Sequence, residues 1–205
     1  MAQLILFNSV FDSYISSQST TSAYSSDQYL YSGDDSSTVS SAKNIFIKFP
    51  INIGDNFEQI PVGSIITNVE LSLWEEGALS SEASINSWNL YLHKILKPFE
   101  DPIGYSPTWS YAKYSPKVNW TISGGLGDGT DREKIPYATL TLDGVPQKGY
   151  VTWSGEGLIK DVQNIIDGIS PNDGWGIYSE GNYAGTTARA YNYFASCNNT
   201  ATDTS

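Results

Sequence analysis

Short apolar runs with a period of two recur along this 205-residue chain, and they restrict it to folds built mainly from strands. Val69, Leu71 and Leu73 alternate with polar residues, which places the apolar side chains on one face of an extended segment. Gly, Pro, Asn and Asp separate such runs and supply turns. We predict strands at residues 44–49, 69–73, 89–93, 138–142, 150–153, 174–178 and 189–194, with further short strands within 1–8 and within 16–41.

One segment, residues 157–168, has the spacing of a helix instead. Four apolar residues stand at i, i+4, i+7 and i+8, so they share one helical face. They are Leu158, Val162, Ile165 and Ile166. Gly168 predicts a C-terminal cap, and Pro171 prevents the helix from continuing. A single helix among many strands favours a helix that plugs one end of an antiparallel two-sheet β-sandwich over alternating β–α units.

Composition excludes several classes of function. The chain has 11 basic and 22 acidic residues and a net charge of -11, so nucleic acids and anionic membranes would be repelled. No apolar run reaches the roughly 18 residues that insertion in a membrane requires. One Cys rules out an internal disulfide, and one Cys with one His rules out a Cys/His zinc site within one chain. Residues 1–8 lack the basic start of a secretory signal, so we expect synthesis in a cytoplasm.

The glycine-rich loop at 124–136 is the candidate metal site. Asp128, Asp131 and Glu133 supply carboxylates at short spacing, and the neighbouring glycines expose carbonyl oxygens, which calcium accepts. The spacing is not that of an EF-hand. The alternative is a plain turn in which Asp131 and Arg132 are held by hydrogen bonds. Apart from a calcium ion at this loop, we expect no cofactor.

No residue pattern indicates an enzyme. His93 lies within a predicted strand, and no Ser or Cys motif supplies a nucleophile for it. Cys197 is interpreted as an incidental thiol. The pairs Glu75–Glu76 and Glu100–Asp101 could be drawn as glycosidase carboxylates, but adjacent residues of a strand point to opposite faces. We therefore expect no catalytic residues.

Aromatic residues are better candidates for a binding site. Flat exposed rings can stack on the apolar face of a sugar and lose little entropy in doing so. The alternative is that such rings cap the open ends of a sandwich core. We predict a glycan-binding face formed by five rings that lie in polar or Pro-rich stretches: Trp88, Trp109, Tyr111, Tyr114 and Trp120.

Short motifs follow one another in a particular order along nearly the whole chain. They occupy residues 11–15, 45–49, 60–66, 69–73, 118–132, 159–168, 172–177 and 188–196. In this order they resemble the DNRLRE-type jelly-roll domain, which is related to disaggregatase and to a class of carbohydrate-binding modules. The chain departs from the family at Ile165 and Ile166, where members usually carry a Trp.

The resemblance implies a single jelly-roll domain over residues 1–205, with a Ser/Thr-rich loop region at 16–41 and a role in binding polysaccharide or in passive support. It also implies a final strand that the sequence to Ser205 does not contain. An open sheet edge is a liability that proteins usually cover. Either the protein continues beyond Ser205 and supplies this strand itself, or a neighbouring chain adds it. The second alternative is our hypothesis, and it makes the protein a homo-oligomer or part of a larger assembly.

Two functions agree with these features. The first is a non-catalytic module on the surface of a virion, such as a phage decoration protein, fibre or tail adhesin, that contacts glycans or neighbouring subunits. The second is a carbohydrate-binding module or extracellular matrix domain of a secreted enzyme that acts on polysaccharide. In both, we expect the protein to work on a virion or extracellular surface.

Overall fold

The computed structural model describes residues 4–8, 11–34, 41–56, 59–80, 87–99, 106–143, 148–179 and 190–199. These residues form eleven strands and one α-helix, α1 (Glu156–Ile166). The strands are β1 (Phe11–Ser16), β2 (Tyr29–Asp34), β3 (Lys43–Lys48), β4 (Glu70–Ser80), β5 (Ser87–Lys94), β6 (Tyr111–Tyr114), β7 (Lys117–Asn119), β8 (Ala138–Asp143), β9 (Gly149–Ser154), β10 (Trp175–Ser179) and β11 (Ala190–Ala195). Among the described residues, no helix is long and apolar enough to cross a membrane.

Nine of the strands make two layers. The front sheet has the order β1-β3-β10-β5-β8, and the back sheet has the order β2-β11-β4-β9. The layers are hydrogen-bonded to each other at one corner, where Gly33 pairs with Lys43. All of the strand pairs are antiparallel. The predicted all-β, antiparallel two-sheet sandwich of jelly-roll type, with one short helix, is confirmed.

The main core lies between the two sheets. Leu71 and Leu73 of β4 are buried while Ser72 between them is exposed, as the period of two predicts. They meet inward-facing residues of both sheets, among them Leu30, Ile45, Ile47, Leu90, Leu92, Trp153 and Phe194. Burial of this apolar surface is the main source of the fold's stability.

A second, smaller core covers the outer side of the front sheet. Phe46 lies between Ile45 and Ile47 in β3, and its side chain points away from theirs into this second core. The segment 106–132, which contains the β6–β7 hairpin and the glycine-rich loop, supplies Ala112 and Trp120 to it. The middle of the front sheet, including β3 and β10, is therefore covered on both faces, which explains why residues 45–47 are apolar without alternation.

The helix closes one end of the sandwich, as predicted. Leu158 and Val162 are buried in the main core, and Ile165 and Ile166 pack against it. Gly168 has φ +70°, and its N–H donates to the carbonyl of Ile165, so the predicted glycine cap is present. The strand predicted within residues 1–8 is not found at residues 4–8, the part of this segment that the structure describes, because these residues pair with none of the described strands.

Three strands of the two layers have only one hydrogen-bonded neighbour. Within the described part of the chain, β1 pairs with β3 alone, β8 pairs with β5 alone, and β9 pairs with β4 alone. All six residues of β1 are buried, whereas five of the six residues of β9 are at least partly exposed, including Tyr150. The addition of a strand from a neighbouring chain stays a prediction.

Candidate binding surfaces

Two of the predicted glycan-binding rings lie inside the molecule. Trp88 is 6% exposed, and its indole N–H donates to Asn192 Oδ1 at 2.6 Å in the main core. Trp120 is 5% exposed, stacks on Phe46 with ring centroids 5.2 Å apart, and donates to the carbonyl of Thr108. Both rings are therefore packed in the cores, and neither has a ring face exposed to a ligand in this structure.

The other three predicted rings lie at or near the surface. Trp109 is half-buried against the second core and covers Gly124, where a Cβ would meet its ring. Tyr111 and Tyr114 are neighbours on β6, with an edge-to-face contact at 6.0 Å. Lys117 Nζ lies 5.1 Å from one ring and 5.4 Å from the other. The predicted face is thus reduced to a small cluster on the β6–β7 hairpin.

A larger aromatic surface lies on the outer side of the back sheet. Along β2 and β11, half-buried tyrosines alternate with the buried residues Leu30, Asn192 and Phe194. The ring of Trp74 on β4 meets Tyr150 on β9, which is 75% exposed. We call this surface the tyrosine face, and define it by Tyr29, Tyr31, Trp74, Tyr150, Tyr191 and Tyr193.

The rings of the tyrosine face contact one another across the strands. Tyr193 packs edge-to-face on Tyr29 at 5.7 Å and stacks on Tyr31 at 6.0 Å. Tyr31 also contacts Tyr191, and Trp74 and Tyr150 meet edge-to-face at 5.2 Å. Such pairs stabilise a sheet and hold each ring in place before any ligand arrives.

A glycine lets one of these rings lie close to the sheet. Tyr193 pairs with Gly77 of β4, and a Cβ at Gly77 would collide with the tyrosine ring. The register shifts between Tyr193 and Phe194, so Glu76 is the extra residue of a β-bulge. The missing side chain and the bulge together place the Tyr193 ring over the backbone of β4.

One cation accompanies the tyrosine face. Lys43 Nζ lies 5.0 Å from the centroid of Tyr31 and 5.5 Å from that of Tyr191. Burial raises the pKa of Tyr31, and the neighbouring tyrosines and Asp27 add to this effect. The hydroxyl of Tyr31 therefore remains protonated at neutral pH and can both donate and accept hydrogen bonds.

The structure does not bring the three predicted calcium ligands together. The carboxylate of Asp131, which is fully buried, accepts hydrogen bonds from the N–H groups of Thr121, Ile122 and Gly127, and pairs with Lys97 at 2.8 Å. Burial raises the pKa of Asp131, but these bonds and Lys97 outweigh that effect and lower it overall. The carboxylate is an internal support for the glycine-rich loop.

The other two carboxylates of that set face elsewhere. Asp128 pairs with Arg132 at 3.0 Å, and Glu133 lines a cavity beside Lys94. Among the described residues, no group of three acidic, His or Cys side chains could hold a metal ion. The hydrogen-bonded turn that sequence analysis left open describes the observed loop better, with Asp128 rather than Asp131 as the partner of Arg132.

The remaining reactive side chains are held by protein partners. His93 is buried, its Nδ1 lies 2.7 Å from the carbonyl of Glu133, and burial lowers its pKa to about 4. Burial also raises the pKa of Cys197 to about 11, with a further contribution from Asp12. Glu75 accepts a hydrogen bond from Asn192 in the core. The pair Glu100–Asp101 lies outside the described residues.

The cavity beside Lys94 was not foreseen from the sequence. It has a volume of about 300 Å³ and lies between the end of β5, α1 and residues 133–137. Lys94 pairs with Asp161, which also accepts the indole N–H of Trp175 at 3.1 Å. Burial raises the pKa of Asp161, although Lys94 opposes this effect.

Comparison with models of known protein families gives no match, and no curated protein sequence matches the chain. The likeness to the DNRLRE-type domain therefore stays a prediction.

Proposed function

We propose that this protein is a non-catalytic module that binds a polysaccharide or cell-surface glycan through the tyrosine face. The observation that carries the proposal is that the rings of this face, in two contacting groups, come from all four strands of the back sheet. Sugar rings have apolar faces that stack on aromatic rings and hydroxyl groups that bond to tyrosine hydroxyls.

The chemistry around the rings supports a glycan ligand. Ser72 and Thr152 lie on the same side of the back sheet as Trp74 and Tyr150, and their hydroxyls are 2.8 Å apart. Tyrosine, tryptophan, serine and threonine side chains can satisfy an uncharged, hydroxyl-rich ligand. A flat sheet surface also admits an extended polymer without requiring a chain end to enter a pocket.

The test compares the tyrosine face with the hairpin cluster that sequence analysis predicted. Tyr31→Ala combined with Tyr150→Ala removes two rings from the tyrosine face, and Tyr114→Ala removes one from the hairpin. Binding to a panel of insoluble polysaccharides and a glycan array is measured for each variant, with circular dichroism as the check on folding. We expect the double variant to bind at least about ten-fold more weakly, which is about 1.4 kcal/mol.

The matched control defines the result that contradicts the proposal. Tyr114→Ala should bind like the unsubstituted protein. Unchanged binding by the folded double variant, together with loss of binding by Tyr114→Ala, would assign the ligand to the hairpin instead. Absence of binding to every glycan tested would reject the proposed function itself.

The setting in which the module works is a separate part of the proposal. We propose a virion surface first and a secreted polysaccharide-acting enzyme as the alternative, as the sequence predicts. Proteomics of purified particles and the genes adjacent to this one distinguish them. Structural genes for capsid or tail support the first setting, and glycosidase or lyase genes support the second.

A further inference from the structure

The cavity beside Lys94 has the polar lining of a small binding site. Four side chains around it, those of Glu133, Tyr137, Asn164 and Asp173, are only partly buried. Its volume of about 300 Å³ is at the lower end of the range for ligand pockets, about 300–1,000 Å³. The cavity therefore suits a single ring rather than a polymer.

The floor of the cavity is a fixed ion pair. Lys94 and Asp161 are 6% and 2% exposed, and Ser170 Oγ lies 3.1 Å from Lys94 Nζ. An ammonium group has three N–H donors, and Asp161 and Ser170 take two of them. One donor of a side chain that is more than nine-tenths buried thus remains at the cavity that Lys94 lines.

The lining of the cavity has one basic side chain and three acidic ones. Lys94 offsets Asp161, while Glu133 and Asp173 add two carboxylates at the wall. Burial raises the pKa of Asp173, and the nearby lysines oppose this effect without cancelling it. Arg132, which adjoins Glu133 in the chain, pairs with Asp128. A simple cation would meet the ammonium group of Lys94, and a simple anion would meet the two carboxylates.

We propose that this cavity binds one ring of a neutral polyhydroxylated ligand, such as a terminal sugar residue. Each hydroxyl group of such a ligand can accept from Lys94 and donate to Glu133 or Asp173. Leu96 and Pro171, which keep exposed surface, supply apolar wall for the carbon skeleton. The site is built from residues outside the tyrosine face, so it goes beyond the proposed function and does not depend on it.

The indole N–H of Trp175 provides a direct reporter, because it donates to Asp161 beneath the cavity. The protein is titrated with methyl glucoside, methyl galactoside, methyl mannoside and myo-inositol while the indole resonances are followed by NMR. We expect a saturable shift of the Trp175 resonance with at least one of these compounds. The Trp88 indole, which donates to Asn192 in the core, should not move and is the internal control.

Variants test the lining residues. Asp173→Ala and Asn164→Ala should each weaken binding about ten-fold, because each removes a hydrogen-bonding group from the wall. Glu70→Ala, on an exposed part of β4, removes the same charge elsewhere and should leave the titration unchanged. Tyr31→Ala should also leave it unchanged while it weakens polysaccharide binding, which separates the two sites.

Several results would overturn the proposal. One is a Trp175 resonance that moves with none of the four compounds. Another is a shift with butylammonium chloride or sodium acetate at matched ionic strength but not with the neutral compounds. A third is unchanged binding by both Asp173→Ala and Asn164→Ala with native-like spectra. In each case, polysaccharide binding at the tyrosine face would still test the proposed function separately.

Discussion

The two sheets of the sandwich use the same kind of strand in different ways. The middle of the front sheet is covered on both sides, so all five residues of β10 are buried. The back sheet is covered on its inner side only, and its outer side carries the tyrosine face. A sheet with two covered faces is fixed by packing, whereas a sheet with one free face can vary its outer residues without losing the core.

The two sheets should differ most in how much stability is lost when an aromatic side chain is replaced by alanine. Trp120→Ala should lower the free energy of unfolding by about 3–5 kcal/mol, because it leaves a cavity in the second core. Tyr150→Ala should cost less than about 1 kcal/mol, because that ring is largely exposed. Urea denaturation measures both. Equal losses would mean that the second core contributes no more than a surface ring does.

A smaller effect is expected at the loop that covers the front sheet. Asp131→Asn should cost about 3 kcal/mol, because Lys97 loses its charged partner and the amide NH2 replaces one of the two oxygens that accept from backbone N–H groups. Asp128→Asn is the matched control, and its side chain is 45% exposed. The control should cost less than about 1 kcal/mol. If both variants unfold at the same urea concentration, the buried carboxylate does not support the loop.

The stability of the protein should also depend on pH through His93 of the front sheet, the single histidine of the chain. Its pKa falls from 6.5 to about 4 on folding, so the unfolded chain binds the proton more tightly. The contribution of neutral His93 to the free energy of unfolding is therefore fully present above pH 6.5 and is lost as the pH falls toward 4. The loss between pH 7 and pH 5 is about 2 kcal/mol. Asp161 and Asp173, whose pKa values are raised, act in the opposite direction at the lower end of this window.

A substitution isolates the contribution of His93. His93→Asn should remove most of the pH dependence between pH 7 and pH 5, which urea unfolding at the two pH values measures. Both proteins have the same carboxyl groups, so the contribution of these groups cancels when the pH dependence of one protein is subtracted from that of the other. A variant with the same pH dependence as the parent would show that His93 is not the group responsible.

The smallest effect is expected on the back sheet. Gly77→Ala should cost about 1 kcal/mol, because its methyl group displaces the Tyr193 ring, which has a solvent-facing side to move toward. In a Tyr193→Ala background the same change should be close to neutral. Thermal unfolding of the four proteins completes this double-mutant cycle. Additive effects would mean that the ring and the glycine do not interact.

The sequence predicted strands of both sheets, and the clearest patterns belong to elements with one buried and one solvated side. Alternation located β4 and β8, and the spacing of a helix located α1. Residues 45–47 predicted a strand, but they did not indicate that Phe46 faces a second core. A strand that is buried on both sides has no alternating polar residues to distinguish its two faces. The hairpin strands β6 and β7 were not predicted, because they are short and their contacts are made with each other.

The binding surface was harder to predict for a different reason. Trp88 lies among polar residues in the sequence, but its partner Asn192 is 104 positions away, so local polarity did not indicate exposure. The spacing of Tyr29 with Tyr31 and of Tyr191 with Tyr193 did contain the signal of a shared strand face. Only the pairing of β2 with β11 shows that the two faces are one surface.

The place of β11 has a consequence for biosynthesis. This strand is the last one in the described chain, yet it lies between β2 and β4 in the middle of the back sheet. A ribosome that has translated as far as residue 180 has released the residues of β2 and β4 without the strand that joins them. The nascent chain must keep these two edges from other polypeptides until the residues of β11 have been translated, and chaperones can protect the edges during that period.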